Sequence, residues 1–312
     1  MSYNILVTGG AGYLGSILVP DLLDEGHKVT VIDNFLYKQA SLNHICCHPN
    51  FSVIKGDIRI EDTVKPLLKK ADIIIPLAAL VGAPICKEDP VGATTVNHKA
   101  ILMMLNNLSN HQMILMPTTN SAYGSGNENN YCTEESPLNP VSKYAIDKVE
   151  IEKALLQHPG AVSFRLATVF GMSPRMRIDL LVNDFTYRAV NDRFIVLFES
   201  HFKRNYIHVR DVSNAFRFGI KHFETMRQNI YNVGLSEANV SKKELCEIIA
   251  KQIPDFVFLE APVGKDPDQR NYIVSNKKIE SIGYKPSFSL ESGIEELIKG
   301  FVMIKNTQFG NV

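Results

Sequence analysis

An open, doubly wound parallel α/β sheet followed by a smaller mixed C-terminal lobe is the architecture this sequence predicts. Three observations carry it. Six short apolar runs in the first half alternate with segments whose apolar residues recur at helical spacing. A glycine-rich turn, Thr8-Gly9-Gly10-Ala11-Gly12-Tyr13-Leu14-Gly15, joins the first run to the first helical segment. After Gly171 the alternation gives way to helical patterns mixed with brief strands.

In order, Asn4–Thr8, Lys28–Asp33, Phe51–Lys55, Asp72–Pro76, Met113–Met116 and Ala161–Arg165 read as strands, with helices such as Leu14–Leu23 and Ala100–Leu108 between them. Strand–helix–strand repetition with right-handed crossovers implies a parallel sheet covered on both faces. Beyond Gly171, Asp179–Ala189, Val209–His222, Ser241–Gln252 and Leu290–Met303 read as helices, with strands around Ile195, Tyr206, Ile230 and Val257. The expected first domain is 1–170, with strand and helix returning to it near 205–235. The second lobe is 171–312, largely 171–204 and 236–312.

The chain has 312 residues, 45% of them hydrophobic, which is enough for a real core and excludes disorder as the main state. Lysine plus arginine, 33, balance 33 acids, so neither a nucleic-acid nor an anionic-membrane surface is expected. The N-terminal segment has no basic n-region, and the longest apolar stretch, Ile73–Ile85, is short and carries Pro76 and Pro84. Five cysteines form no CxxC pair, and reduced thiols in a cytoplasmic protein are expected. His44, His48, His98 and His111 show no metal-ligand spacing, so no metal is expected.

Gly9, Gly12 and Gly15 permit a tight turn, close approach of backbone to a pyrophosphate and close helix–strand packing, and the helix start offers N–H groups to phosphates. The strand before and the helix after distinguish this turn from an isolated glycine triplet. Asp33 ends the second strand, where a carboxylate accepts from a ribose 2′-OH and repels a 2′-phosphate. NAD is the expected cofactor.

Tyr144 and Lys148 lie four apart in a helical segment and face one side. A phenol, with a reference pKa of about 10, serves as a base near neutrality only if its anion is stabilised, and a neighbouring ammonium provides this. By itself the pair matches a surface Tyr/Lys pair. Thr118-Thr119-Asn120-Ser121-Ala122-Tyr123-Gly124 adds a hydroxyl at the carboxyl edge of the fifth strand, where doubly wound sheets bind ligands.

TGGAGYLG, Asp33, Gly56-Asp57-Ile58, Leu77-Ala78-Ala79, TTNSAYG, PVSKYAIDK and RLATVFG, in this order, resemble the NAD-dependent epimerase/dehydratase family, extended short-chain dehydrogenases acting on nucleotide sugars. Late Ile282-Gly-Tyr-Lys-Pro and Leu290-Glu-Ser-Gly-Ile extend the resemblance. It implies a Rossmann cofactor domain, Tyr144 as base, Lys148 as its partner and Thr119 as the hydroxyl residue. Gly9, Gly12, Tyr13, Leu14, Gly15, Asp33, Asn34, Asp57, Ile58, Leu77, Ala78, Ala79 and Asn97 would hold the cofactor. Thr119, Asn120, Ser121, Thr168, Arg177, Asn183, Arg204 and Arg270 would meet a nucleotide-diphospho-sugar, with Arg175 a further candidate.

Departures narrow the chemistry. Dehydratases and uronate decarboxylases of this family carry an acid after the Thr/Ser; here Asn120 and Ser121 follow Thr119. Thr168 stands where many relatives have asparagine. What remains is oxidation at C4 or 4-epimerisation, which share a first half-reaction. RLATVFGMSPRMRIDLLVNDF and PLAALVGAPICKEDP look like the branch that includes GDP-heptose 4-dehydrogenases of capsule sugar pathways. A non-catalytic NAD-sensing protein is the alternative from another class, and the Tyr/Lys pair argues against it. The resemblance also implies a homodimer through helices near 92–108 and 141–157.

Overall fold

The computed structural model describes residues 2–38, 40–124, 131–262 and 271–304. The first half runs β1 (Asn4–Thr8), α1 (Gly15–Asp24), β2 (Lys28–Asp33), β3 (Phe51–Lys55), α2 (Glu61–Leu68), β4 (Ile73–Pro76), α3 (Ala83–Glu88), α4 (Pro90–Thr94), α5 (Ala100–Asn106), β5 (Met113–Thr119), α6 (Lys143–Leu155) and β6 (Ala161–Leu166). Then follow β7 (Thr168–Phe170), α7 (Leu181–Asn191), β8 (Phe194–Leu197), β9 (Lys203–His208), α8 (Val209–Lys221), α9 (Phe223–Met226) and β10 (Asn229–Val233). The last elements are β11 (Asn239–Ser241), α10 (Lys242–Gln252), β12 (Val257–Glu260), α11 (Lys277–Ser281) and α12 (Leu290–Met303).

Seven parallel strands make one sheet in the order β10-β6-β5-β4-β1-β2-β3. Alternate residues of each strand feed opposite faces. Val7, Val31 and Ile75 meet Leu18 and Leu22 of α1 and Val212 and Phe216 of α8 on one side. Leu6, Ile32 and Ile114 meet Leu68 of α2, Met104 of α5 and Ile151 of α6 on the other. The strand order reverses between β1 and β4, so a crevice opens beyond the carboxyl ends of β1, β4 and β5.

The C-terminal lobe has two small sheets. In one, β9 lies parallel to β7 and antiparallel to β11; in the other, β8 and β12 pair in parallel. Val182 and Phe185 of α7, Leu245 and Ile249 of α10, and Ile294 and Leu297 of α12 form its core. Segment α8–β10 belongs to the large sheet, with β10 paired to β6.

Two elements differ from the sequence expectation. Strand β5 passes through Pro117 to Thr119 instead of ending at Met116. It pairs with β4 only at Met113 and Ile114, while β6 holds it through Thr119, and this one-sided pairing accommodates proline. The helix expected at 100–108 is the end of a longer rod, because a π turn at Thr95–Lys99 joins α4 to α5.

Candidate active site

At the first end of the crevice, α1 starts without a side-chain cap and without an acid in its first turn, leaving its N–H groups and positive dipole end for a ligand. Gly9 has φ +68°, and a Cβ there would stand 2.5 Å from the Ala78 amide nitrogen; one on Gly15 would stand 2.4 Å from the Gly10 oxygen. Only glycine lets this loop close against the chain after β4.

Asp33, the last residue of β2, accepts from the amides of Ala11 (3.0 Å) and Phe35 (2.8 Å). Burial pushes its carboxyl up, and these two N–H groups with nearby Arg175 offset part of the rise. Beyond β3, Asp57 is gripped by Arg59 at 2.5 Å, which holds its carboxyl below the usual range. Leu77, Ala78 and Ala79 continue from β4 along the cleft floor.

At the other end, Ser142 caps α6 by accepting from the Ala145 amide at 3.2 Å, so Tyr144 falls in the first turn and Lys148 one turn later. The Lys148 ammonium donates to the Pro117 carbonyl at 3.1 Å and lies 6.0 Å from the centre of the Tyr144 ring. Burial brings its pKa from 10.5 down to about 8. Thr119 accepts from the Ser121 amide (3.1 Å) and donates to the Ser121 hydroxyl (3.0 Å). Both ends open into one cleft of about 800 Å³.

Most residues singled out from sequence line this cleft. Gly9, Gly12, Tyr13, Leu14, Gly15, Asp33, Asn34, Asp57 and Ile58 do so at the first end. Thr119, Ser121, Tyr144 and Lys148 do so at the second, while Thr168, Arg177 and Arg204 also line the cleft, Arg177 within electrostatic reach of Tyr13, Tyr37 and Arg175. Tyr13 turns its hydroxyl away to the Gly171 carbonyl at 2.6 Å. Arg270 lies outside the described residues.

Three asparagines are not on the cleft wall. Asn97, carried inward by the π turn, accepts from the Leu80 amide and donates to the Leu80 carbonyl, each at 2.8 Å, and so braces the loop after β4. Asn183 accepts from the Gly171 amide (3.0 Å) and donates to the Arg177 carbonyl (2.8 Å), stitching the turn that carries Arg177. Asn120 is buried behind Thr119, and neither polar atom of its amide has a partner among the described residues.

Arg175 stands near Asp33 and Arg177, its guanidinium 3.8 Å over the ring of Tyr37. Tyr37, Lys87, Asp179 and Tyr272 also line the cleft, and sequence reasoning misses them. For Asp179 a signal existed: it sits two residues past Arg177 and pairs with it at 2.5 Å. Tyr37 belongs to no motif, and Tyr272 closes the Asp-Pro-Asp-Gln-Arg-Asn-Tyr string that carries Arg270.

Among the described residues no cluster of His, Cys, Asp and Glu could hold a metal, and no helix is long and apolar enough to cross a membrane. All five cysteines are free thiols. The loop–helix cradle that any Cβ would fill, together with Asp33 beside it, fits NAD.

The chain is similar to several characterised proteins over nearly its whole length. It is 27% identical to the low-salt glycan biosynthesis protein Agl12 of Haloferax volcanii, covering 95% of this chain and 97% of that one. It is 28% identical to UDP-glucuronic acid decarboxylase 1 of Arabidopsis thaliana, covering 96% and 69% respectively. Among solved structures, UDP-N-acetylglucosamine 4-epimerase from Methanobrevibacter ruminantium, in complex with UDP-N-acetylmuramic acid, superposes with a TM-score of 0.82 at 26% identity, covering 97% of this chain and 99% of that one. The UDP-glucose 4-epimerase of Thermus thermophilus, in complex with NAD, shares the fold at a TM-score of 0.82 and 24% identity, covering 96% and 99%. With the pattern of that family matching residues 5–234, the chain belongs to the NAD dependent epimerase/dehydratase family.

Proposed function

We propose that this protein oxidises C4 of a nucleotide-diphospho-sugar, with GDP-heptose or a GDP-hexose the favoured substrate, in the synthesis of a cell-surface polysaccharide. The observation that carries this reading is the single cleft, lined at one end by Gly12 and Asp33 and at the other by Thr119, Tyr144 and Lys148, with Arg177 and Arg204 also on its wall. NAD, when bound, supplies the acceptor for the hydride leaving the sugar carbon.

The chain's residues divide the remaining tasks. Backbone from Gly9 to Gly15, with Tyr13 and Leu14, holds the dinucleotide phosphates; Asp33 and Asn34 take the ribose hydroxyls, Asp57 and Ile58 flank the base, and Leu77–Ala79 line the cofactor. Lys148, fixed by the Pro117 carbonyl, stabilises the Tyr144 phenolate, whose oxygen then accepts the proton of the substrate hydroxyl and becomes neutral as the hydride leaves C4. Thr119 orients the reacting oxygen, with Ser121 holding Thr119. Arg177 and Arg204 meet the substrate diphosphate, which suits guanidinium geometry. Thr168 lies along the same wall, and Arg270 is assigned to the diphosphate from its sequence context.

No acid follows Thr119, so a proton donor for a departing hydroxyl is absent from that position, which argues against dehydration beyond the ketone. The second reading is 4-epimerisation, favoured by the relatives named as epimerases at similar identity. The α4–α5 rod lies against α6, linked by His98 and Glu150 at 3.3 Å, while Val91 and Ile146 stay exposed. These two helices form the interface of a proposed cytoplasmic homodimer, and a monomer in sedimentation at micromolar concentration overturns it.

Mixing the purified protein with GDP-, UDP-, dTDP- and ADP-sugars in turn, while following reduced-nicotinamide absorbance, tests the proposal. Stable absorbance with one sugar supports the dehydrogenase. A new C4 epimer without lasting absorbance supports the epimerase. Activity that is unchanged in Tyr144→Phe refutes both.

A further inference from the structure

Behind the Tyr144–Lys148 face lies a buried polar cluster to which no catalytic task has been given. Glu152, one turn past Lys148 on α6, is 4% exposed. Its carboxylate accepts from the Thr118 hydroxyl at 3.0 Å and the Ser163 hydroxyl at 2.7 Å, and from Arg165 at 2.6 and 3.1 Å. Arg165 donates onward to the Tyr123 hydroxyl at 3.0 Å, and Tyr123 donates to Asn232 at 2.7 Å.

Thr118 has a special address. Its predecessor, Pro117, supplies the carbonyl that holds the Lys148 ammonium; its successor, Thr119, supplies the hydroxyl on the cleft wall. Lys148 and Glu152 therefore touch two consecutive residues of β5 from two consecutive turns of α6. Stability alone does not call for this arrangement, because a buried ion pair is often no better than well-packed apolar side chains. Positioning does: misplacing a reacting group by 1 Å costs on the order of 100-fold in rate.

We propose that Glu152 is a positioning residue for the reaction, gripping Thr118 so that the Pro117 carbonyl and the Thr119 hydroxyl keep one fixed register against Lys148 and Tyr144. Arg165 cancels the carboxylate's charge, so the grip puts no net negative charge beside the base. This inference rests on the role given above to Tyr144. The groups felt by Lys148 are Asp147 on its own helix, paired to Lys143, and Cys86 on α3. Thr118→Val alters none of these charges and leaves Ser163 and Arg165 on Glu152, so the fold is retained.

The test is tyrosinate absorbance across pH in the full-length protein, each variant read against its own Tyr144→Phe counterpart so that the other tyrosines cancel. We expect Tyr144 to ionise well below 10 in the wild type and about one pH unit higher in Thr118→Val, with Thr118→Ser restoring the wild-type value. With the nucleotide sugar that reduces the cofactor, kcat falls about ten-fold or more in Thr118→Val while KM stays within about two-fold. A depressed wild-type value that is unchanged in Thr118→Val, with only a lower melting temperature, overturns the positioning role and leaves Tyr144 as base. A wild-type Tyr144 that ionises near 10 overturns both.

Discussion

The two ends of the cleft are built by different means. At the dinucleotide end the determinants are backbone groups and missing side chains: Gly9 and Gly15 each have another backbone atom within 2.5 Å of where a Cβ would be. At the Tyr144 end they are side chains, delivered by β5 and α6. A backbone-built site tolerates many substitutions nearby but no added methyl group. A side-chain-built site tolerates none of its few residues being changed and depends on the groups that hold those side chains in place. One end therefore turns on space for the backbone and the other on the placing of a few side chains.

Several substitutions would break or sharpen this contrast. The largest effect belongs to the sugar end: Tyr144→Phe lowers kcat about 1,000-fold, the middle of the range for general-base catalysis. NAD affinity, measured by titration calorimetry, stays within about two-fold, since the dinucleotide end is untouched.

Lys148→Met comes next, with opposite signs for activity and stability. The folded chain releases the Lys148 proton near pH 8 and the unfolded chain near 10.5. The cost of burying the ammonium is thus full below pH 8 and relieved between 8 and 10.5. The variant should lose turnover yet gain stability on the order of 3 kcal/mol at pH 7, a gain that shrinks toward pH 10.5 in urea melts. Equal stability at both pH values refutes this.

At the backbone end, Gly15→Ala drives a methyl into the Gly10 carbonyl and costs about 2 kcal/mol, with NAD binding weakened in step. Scanning calorimetry with and without NAD reads both. Asp33→Asn has the smallest effect: about ten-fold weaker NAD binding, with NADP now bound comparably, as judged by fluorescence titration.

The same contrast explains what can be read from sequence. Local signals fix the dinucleotide end, since glycine spacing, the strand before it and Asp33 all lie within one β1–α1–β2 unit; β1, β2 and β3 have the bounds expected from their residues. The Tyr144–Lys148 pair is legible because helix periodicity alone puts both on one face. Strand β5 reads as ending at Met116 because Pro117 acts as a local stop signal, and only the tertiary pairing with β6 overrides it. For Asn97, Asn120 and Asn183 a pattern gives position along the chain, and not which way an amide turns; Asn97 and Asn183 turn theirs to backbone groups. Arg175 and Tyr37 meet across 138 residues of sequence, and no local signal joins them.

The π turn in the α4–α5 rod has a consequence for how this chain can change. A π turn holds one residue more than an α turn, so the rod carries the equivalent of a single-residue insertion. A one-codon deletion within 95–99 would repair the helix and swing the residues on one side of the cut by roughly 100° relative to the other. Asn97 would lose its two bonds to Leu80, and the wall after β4 would lose its brace. The local irregularity is thus a hereditary lock: the mutation that makes the better helix makes the worse cleft.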